Sequence, residues 1–162
     1  MRGPLAGAPD LHGRVIWLTR PQGQIDALRG SLEELNSAPS DEIVPLVNSL
    51  RKKFKLVVLT QDWHPKGHSS FASQHPGMQP FSQIKMPYGP QTLWPDHCVQ
   101  GTPGAAFHAA LDAIRAQLVI RKGFHRGIDS YSGFLEADRS TPTGLAGYLK
   151  ERGLRELYVC GL

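Results

Sequence analysis

The sequence predicts an α/β protein in which a parallel sheet lies between two layers of helices, a three-layer α/β/α fold. Two observations lead to this prediction. Short apolar runs rich in β-branched residues, typical of strands buried on both faces, alternate along the chain with segments of helical periodicity. Polar side chains directly follow some of these runs, and functional groups gather at the carboxyl ends of parallel strands.

The first half of the chain contains two of the predicted strands. After a lead-in rich in Gly, Pro and Ala, residues 14–19 form an almost continuous apolar run that ends before Pro21. Asp41 is placed to cap a helix that extends to Lys53, because apolar residues recur on one helical face. Residues 56–60 are again apolar and β-branched, which predicts the second strand.

The second half resumes the alternation after a long loop. Residues 65–104 contain many Pro and Gly residues and lack a strong period, and loops of such length usually carry function. The elements predicted after this loop are a helix at 105–116, a strand at 118–120, a helix at about 143–152 and a fourth strand at 157–160. Asp62 and Lys122 each lie just beyond a predicted strand, so parallel pairing should bring them to one crevice.

The composition indicates one soluble domain that covers residues 1–162. Hydrophobic residues make up 40% and charged residues 20%, which is ordinary for a globular protein and argues against disorder. The net charge of +4 is scattered, so nucleic acid is not an expected partner, and the apolar run at 15–18 is too short to cross a membrane. Cys98 and Cys160 are the only cysteines, which favours a reducing cytoplasm over a disulfide-linked secreted protein.

The two ends of the long loop carry residue types that bind metals. Asp62 and His64 follow the second strand, His68 lies shortly after them, and His97 stands in a Trp-Pro-x-His-Cys frame. Carboxylate oxygens and imidazole nitrogens are ligands for divalent transition metals. A metal site and a set of structural or surface histidines fit this spacing about equally well.

Two further residues have both a structural and a functional interpretation. Lys122 is either a sheet-edge lysine whose ammonium reaches water, or a lysine with a depressed pKa beside a carboxylate and a nucleophile. Trp94 is either an anchor for the loop or a ring that stacks on a flat substrate.

Four segments carry a resemblance to a known family: QDWHPKGHSSFASQHPG, LWPDHCVQGTPGAAFH, KGFHRGIDSYSGF and LRELYVCGL. In this order they resemble the nicotinamidases of the isochorismatase-like hydrolase superfamily, and the similarity covers about residues 41–162. The resemblance implies a Rossmann-like parallel α/β fold. It also implies hydrolysis of nicotinamide, or of a pyrazinamide-like small molecule, to the acid and ammonia, as in NAD salvage.

The same resemblance implies a metal centre. Asp62, His64 and His97 match the family's metal ligands, and the ion is one divalent transition metal, usually zinc. His68 matches a histidine that only some members use. In the family's scheme the metal holds the pyridine nitrogen of the substrate and orients the carboxamide for attack.

The resemblance also implies roles for three residues around the substrate. Trp94 matches an aromatic residue that flanks the nicotinamide ring, and Tyr131 matches a tyrosine that lines the same pocket. Lys122 matches the catalytic lysine.

The sequence departs from the family in its catalytic machinery. The family's nucleophile is a cysteine in an Ala-Thr-Asp-x-Cys-Val segment that follows the strand matching residues 157–162, where this sequence ends. Gln22 stands at the place of the catalytic aspartate, and a glutamine cannot take a proton from a thiol. We therefore expect a fold that is incomplete at its C-terminal edge and a chain that is inactive as written. The alternative is a non-catalytic remnant that still binds a metal and a pyridine-like ligand.

Overall fold

The computed structural model describes residues 15–19, 40–52, 54–154 and 157–161. Within these residues the central element is a sheet of four strands: β1 (Val15–Thr19), β2 (Leu56–Asp62), β5 (Leu118–Lys122) and β6 (Leu157–Gly161). The strands lie in the order β5-β2-β1-β6, and every neighbouring pair is parallel. All four predicted strands are confirmed.

Two helices, α1 (Ser40–Arg51) and α2 (Leu145–Glu151), pack on opposite faces of the sheet. Successive side chains of β2 point to opposite faces, so each helix meets its own set of apolar residues. The cluster on the α1 face contains Val47, Val57 and Leu59, and the cluster on the α2 face contains Val58, Ile120 and Leu145. The predicted three-layer α/β/α class is confirmed. In the described part of the chain, no helix has the length and apolarity needed to cross a membrane.

The segment between β2 and β5 has more regular structure than the sequence predicts. β3 (Gln83–Met86) and β4 (Gly89–Thr92) form an antiparallel hairpin. The prediction of an irregular loop over residues 65–104 is therefore wrong at this hairpin. Its strands lack the β-branched alternation that identifies strands from sequence, because only some of their side chains are buried.

The helix predicted for residues 105–116 is also wrong, because most of this segment runs in successive turns. Side chains of α1 bond to its backbone: Asn48 donates from Nδ2 to the carbonyl of Ala110 at 2.8 Å and accepts the N–H of Asp112 at 2.9 Å. Arg51, which is buried, forms an ion pair with the Asp112 carboxylate. These tertiary contacts outweigh the helix propensity of an alanine-rich segment.

Candidate active site

The candidate site begins where β2 and β5 end. Asp62 and Lys122 are register partners in these strands, so their side chains lie on the same face of the sheet. They form an ion pair, and their exposed fractions are only 1% and 7%. Lys122 also donates from Nζ to the carbonyl oxygen of Ser130 at 3.0 Å. Burial raises the pKa of the Asp62 carboxyl, and attraction to Lys122 offsets part of that rise.

Three histidines gather beside this ion pair. The ring centroid of His64 lies 4.4 Å from that of His68 and 4.8 Å from that of His97. The fully buried ring of Phe71 contacts all three, with centroid distances of 5.5 to 5.6 Å. Burial, together with repulsion of the charged form by His68 and His97, lowers the pKa of His64 to about 3. His64 therefore remains neutral near pH 7 and offers a nitrogen lone pair rather than a positive charge.

Hydrogen bonds determine which ring nitrogen of His64 and His97 can bind an ion. Their Nδ1 atoms lie 2.8 Å and 2.7 Å from the carbonyl oxygens of Gly123 and Pro95, respectively. A carbonyl oxygen only accepts, so Nδ1 carries a proton in both rings, and Nε2 is the nitrogen that holds the lone pair in the neutral tautomer. Both histidines are therefore held in the tautomer that a metal ligand requires.

His68 is held differently, because both of its ring nitrogens are engaged. Its Nδ1 accepts the backbone N–H of Ser70 at 3.2 Å, and its Nε2 lies 3.1 Å from the carbonyl oxygen of Ile128, to which it donates. Burial lowers the pKa of His68. The ring is thus a neutral neighbour of His64 that is fixed by its own hydrogen bonds.

The potential ligand atoms fall into two adjacent groups. Among the described residues, one group consists of Asp62, His97 and Cys98 and the other of His64, His68 and Asp129, and the ligand atoms of each group lie within 4.8 Å of one another. The structure thus brings the predicted ligands Asp62, His64 and His97 side by side but divides them between the groups. Carboxylate and imidazole donors so arranged fit a divalent transition metal such as zinc, with small side-chain adjustments.

Cys98 lies inside the site, with an exposed fraction of 1%. Its backbone φ of +47° is in the left-handed region, which is uncommon for a residue other than glycine. Its carbonyl oxygen accepts the backbone N–H of His64 at 3.0 Å, which ties the segment around His97 to the end of β2.

The prediction that Gln22 replaces a catalytic aspartate concerns a residue outside the described ones.

The two predicted pocket residues, Trp94 and Tyr131, lie next to each other at the mouth of the site. Trp94 donates from Nε1 to the Tyr131 hydroxyl at 2.9 Å, and their ring centroids are 6.4 Å apart. Gln91 donates from Nε2 to the same hydroxyl at 2.9 Å. The centroid of Trp94 lies 6.5 Å from that of His97, so the aromatic pair borders the histidine cluster.

Three residues of the site were not identified from the sequence: Gly123, Asp129 and Glu136. Gly123 has a φ of +63°, and a Cβ atom there would lie 2.4 Å from Cε1 of His64. Its N–H donates to the buried Glu136 carboxylate at 3.2 Å. Glu136 therefore fixes the backbone of Gly123, whose carbonyl oxygen accepts from His64. The position of Gly123 directly after Lys122 is the one sequence signal that could have identified it.

No model of a protein family matches the chain. Over 125 residues it is 62% identical to the nicotinamidase of Acinetobacter baylyi, a match that covers 77% of this chain but 58% of the relative. Over 157 residues it is 31% identical to the nicotinamidase of Saccharomyces cerevisiae, covering 88% of this chain and 68% of the relative. The chain thus spans less than two thirds of the length of its more similar relative.

Solved structures give the same result. An Acinetobacter nicotinamidase/pyrazinamidase superimposes with a TM-score of 0.81 at 48% identity, over 96% of this chain and 72% of the other. An L. infantum structure in complex with nicotinate has a TM-score of 0.70 at 36% identity, over 92% and 66%. A Pyrococcus horikoshii pyrazinamidase in complex with zinc has a TM-score of 0.64 at 31% identity, over 95% and 71%. The chain therefore belongs to the nicotinamidases of the isochorismatase-like hydrolase superfamily.

Proposed function

We propose that this chain carries the metal-binding and substrate-orienting part of an amide hydrolase that converts nicotinamide to nicotinate and ammonia. The observation that supports this most directly is the buried Asp62–Lys122 pair, which lies beside the imidazoles of His64 and His97 and a hydrogen-bonded aromatic pair. The nicotinate complex of the L. infantum relative supports a pyridine carboxamide as the substrate class. A pyrazinamide-like molecule fits the same pocket chemistry.

Asp62, His64 and His97 are the proposed ligands of one divalent ion, with zinc as the expected metal. The fit rests on the donor chemistry, because His64 and His97 both donate from Nδ1 to carbonyl oxygens and present Nε2 lone pairs. The zinc complex of the P. horikoshii relative supports the choice of metal. When bound, the ion supplies a Lewis acid that holds the pyridine nitrogen of the substrate.

Trp94 and Tyr131 are the proposed walls of the pyridine pocket. A flat heteroaromatic ring is bound best between rigid aromatic faces, with polar groups at the edges to fix its orientation. The bond from Trp94 to the Tyr131 hydroxyl fixes the angle between the two rings before the substrate enters. The pocket therefore loses little side-chain entropy on binding.

Lys122 is proposed as the catalytic lysine. Its ammonium is fixed by Asp62 and by the carbonyl oxygen of Ser130, so it presents a positive charge at a constant position. Such a charge stabilises an oxyanion that forms on the carboxamide when a nucleophile adds to its carbon.

We further propose that the polypeptide of residues 1–162, assayed by itself, binds the metal and the ligand but does not hydrolyse nicotinamide. Gln22 cannot act as the general base that the family uses. Cys98 is buried and belongs to the Trp-Pro-x-His-Cys frame beside Asp62 and His97, a position that does not match the family's nucleophile. The second candidate function is a non-catalytic module that binds only the metal and a pyridine-like ligand.

The sparse cysteines support a cytoplasmic location.

Zinc titration and ammonia release from nicotinamide test these proposals together. We expect zinc uptake by the purified chain, loss of uptake in an Asp62→Ala, His97→Ala double variant, and no ammonia above background. Ammonia release at ordinary enzymatic rates would show that the chain is itself a hydrolase. Absence of zinc uptake by the unmodified chain would refute the metal centre.

A further inference from the structure

Asp129 is a buried carboxylate in the loop that follows β5, with an exposed fraction of 2%. Its Oδ1 accepts the backbone N–H of Ser130 at 2.8 Å, and its Oδ2 accepts an N–H of the Gln91 side chain at 2.7 Å. Both partners donate to it, which is the pattern of an ionised carboxylate. A charge in such a position is costly unless a cation balances it.

No cation of the chain performs this role among the described residues. Their ion pairs join Arg51 to Asp112 and Lys122 to Asp62, and neither involves Asp129. The neighbours of Asp129 are instead His64 and His68, with one ligand atom from each residue lying within 4.8 Å of the others. The nitrogens and the oxygen are thus close enough to face a common space.

The size of this space fits an ion. Zinc binds nitrogen and oxygen ligands at about 2.0–2.2 Å, so ligands on opposite sides of one ion lie about 4 Å apart. His64 is also a proposed ligand of the ion bound by Asp62 and His97, and its ring touches that of His97. His64 is therefore a neighbour of both Asp129 and His97, which places Asp129 beside the same centre.

We propose that Asp129 supplies a second carboxylate to the metal centre, on the side of His64. Asp62 is already balanced by Lys122 and an imidazole supplies no negative charge, so a divalent ion held by Asp62 and histidines alone would bring two uncompensated positive charges into a buried site. Asp129 removes half of this excess, and the ion in turn balances Asp129. Gln91 is a positioning residue, because its amide fixes the carboxylate oxygen and also holds the Tyr131 hydroxyl.

This inference rests on the proposed function in one respect only, namely that the chain binds a metal. The test is zinc titration of the metal-free 162-residue chain, comparing Asp129→Asn with Asp138→Asn. Both variants remove one negative charge from the same loop, but Asp138 is only partly buried, and its hydrogen bonds join it to Ser140 and Thr141 rather than to the histidines. We expect Asp129→Asn to weaken zinc binding by about 10- to 100-fold and Asp138→Asn to leave it unchanged within about twofold.

A measurement on the unmodified chain covers the case in which Asp129→Asn does not fold. The side-chain NH₂ resonances of Gln91 report on Asp129, since they donate to it, and we expect them to shift when zinc is added. Equal zinc affinity in the two variants, or Gln91 resonances that do not move, would overturn the role of Asp129 while leaving the metal centre intact. If the unmodified chain takes up no zinc, the proposed function itself fails, and Asp129 with it.

Discussion

Replacing Gly123 by alanine tests whether the backbone at Gly123 positions the ring of His64 in the histidine cluster. The new Cβ atom would lie 2.4 Å from Cε1 and 2.7 Å from Nδ1 of His64, whereas ordinary contacts begin at 3.4 Å. The ring must therefore move by about 1 Å, which costs about 1–3 kcal/mol as overpacking. The φ of +63° adds about 1–2 kcal/mol of strain for a residue with a side chain. We expect a total loss of about 2–5 kcal/mol in the free energy of unfolding.

A matched control separates the two contributions. Gly77 has a φ of +81°, but a Cβ atom there would meet nothing within 4 Å, so Gly77→Ala carries the strain alone. Urea unfolding of both metal-free variants should show Gly123→Ala to be less stable by about 1–3 kcal/mol. Zinc titration should show affinity reduced by about 10- to 100-fold in Gly123→Ala only. If the two variants are alike in both measurements, the Gly123 backbone does not position His64.

Three other perturbations follow from the same geometry. Lys122→Met leaves the buried Asp62 carboxylate unpaired, so the free energy of unfolding of the metal-free chain should fall by about 3–5 kcal/mol. Zinc should restore part of this loss. Equal stability of the variant with and without zinc would contradict the prediction. Trp94→Phe removes the donor to Tyr131 and should weaken nicotinamide binding about fivefold in calorimetry, the equivalent of about 1 kcal/mol. Because the pKa of His64 falls to about 3 in the folded chain from 6.5, its stabilising effect is complete above pH 6.5 and is lost as the pH falls. Metal-free stability should then decrease by up to about 1.4 kcal/mol per unit from pH 6 to 5, and a His64→Gln variant should lose less.

The sheet was predictable from the sequence because its strands read as short apolar runs, and β2, which is buried on both faces, is the clearest of them. Asp62 and Lys122 could be placed in one crevice for the same reason, since parallel strands align their carboxyl ends. The hairpin of β3 and β4 could not be found, because Pro90 and Gly89 are poor strand formers that pair here through tertiary context. Residues 105–116 illustrate the opposite error, in which strong local helix propensity yields to contacts with α1.

The site was predictable only in part. Residue type and the family resemblance predict Asp62, His64 and His97 as ligands, but neither indicates which ring nitrogen donates to the backbone, since that depends on where the carbonyls of Gly123 and Pro95 lie in the folded chain. Asp129 gave no signal of its own, because a single aspartate in a loop is usually exposed. Its burial beside His64 is a property of the folded chain alone.

Calorimetric binding of nicotinamide to the 162-residue chain, with zinc present and with zinc removed by a chelator, tests the central claim most directly. If the ion holds the pyridine nitrogen beside Trp94 and Tyr131, nicotinamide should bind at least about tenfold more tightly with zinc, because the metal–nitrogen bond is made only in its presence. Benzamide, which lacks the ring nitrogen, should show no such dependence. Equal nicotinamide affinity with and without zinc would contradict the account.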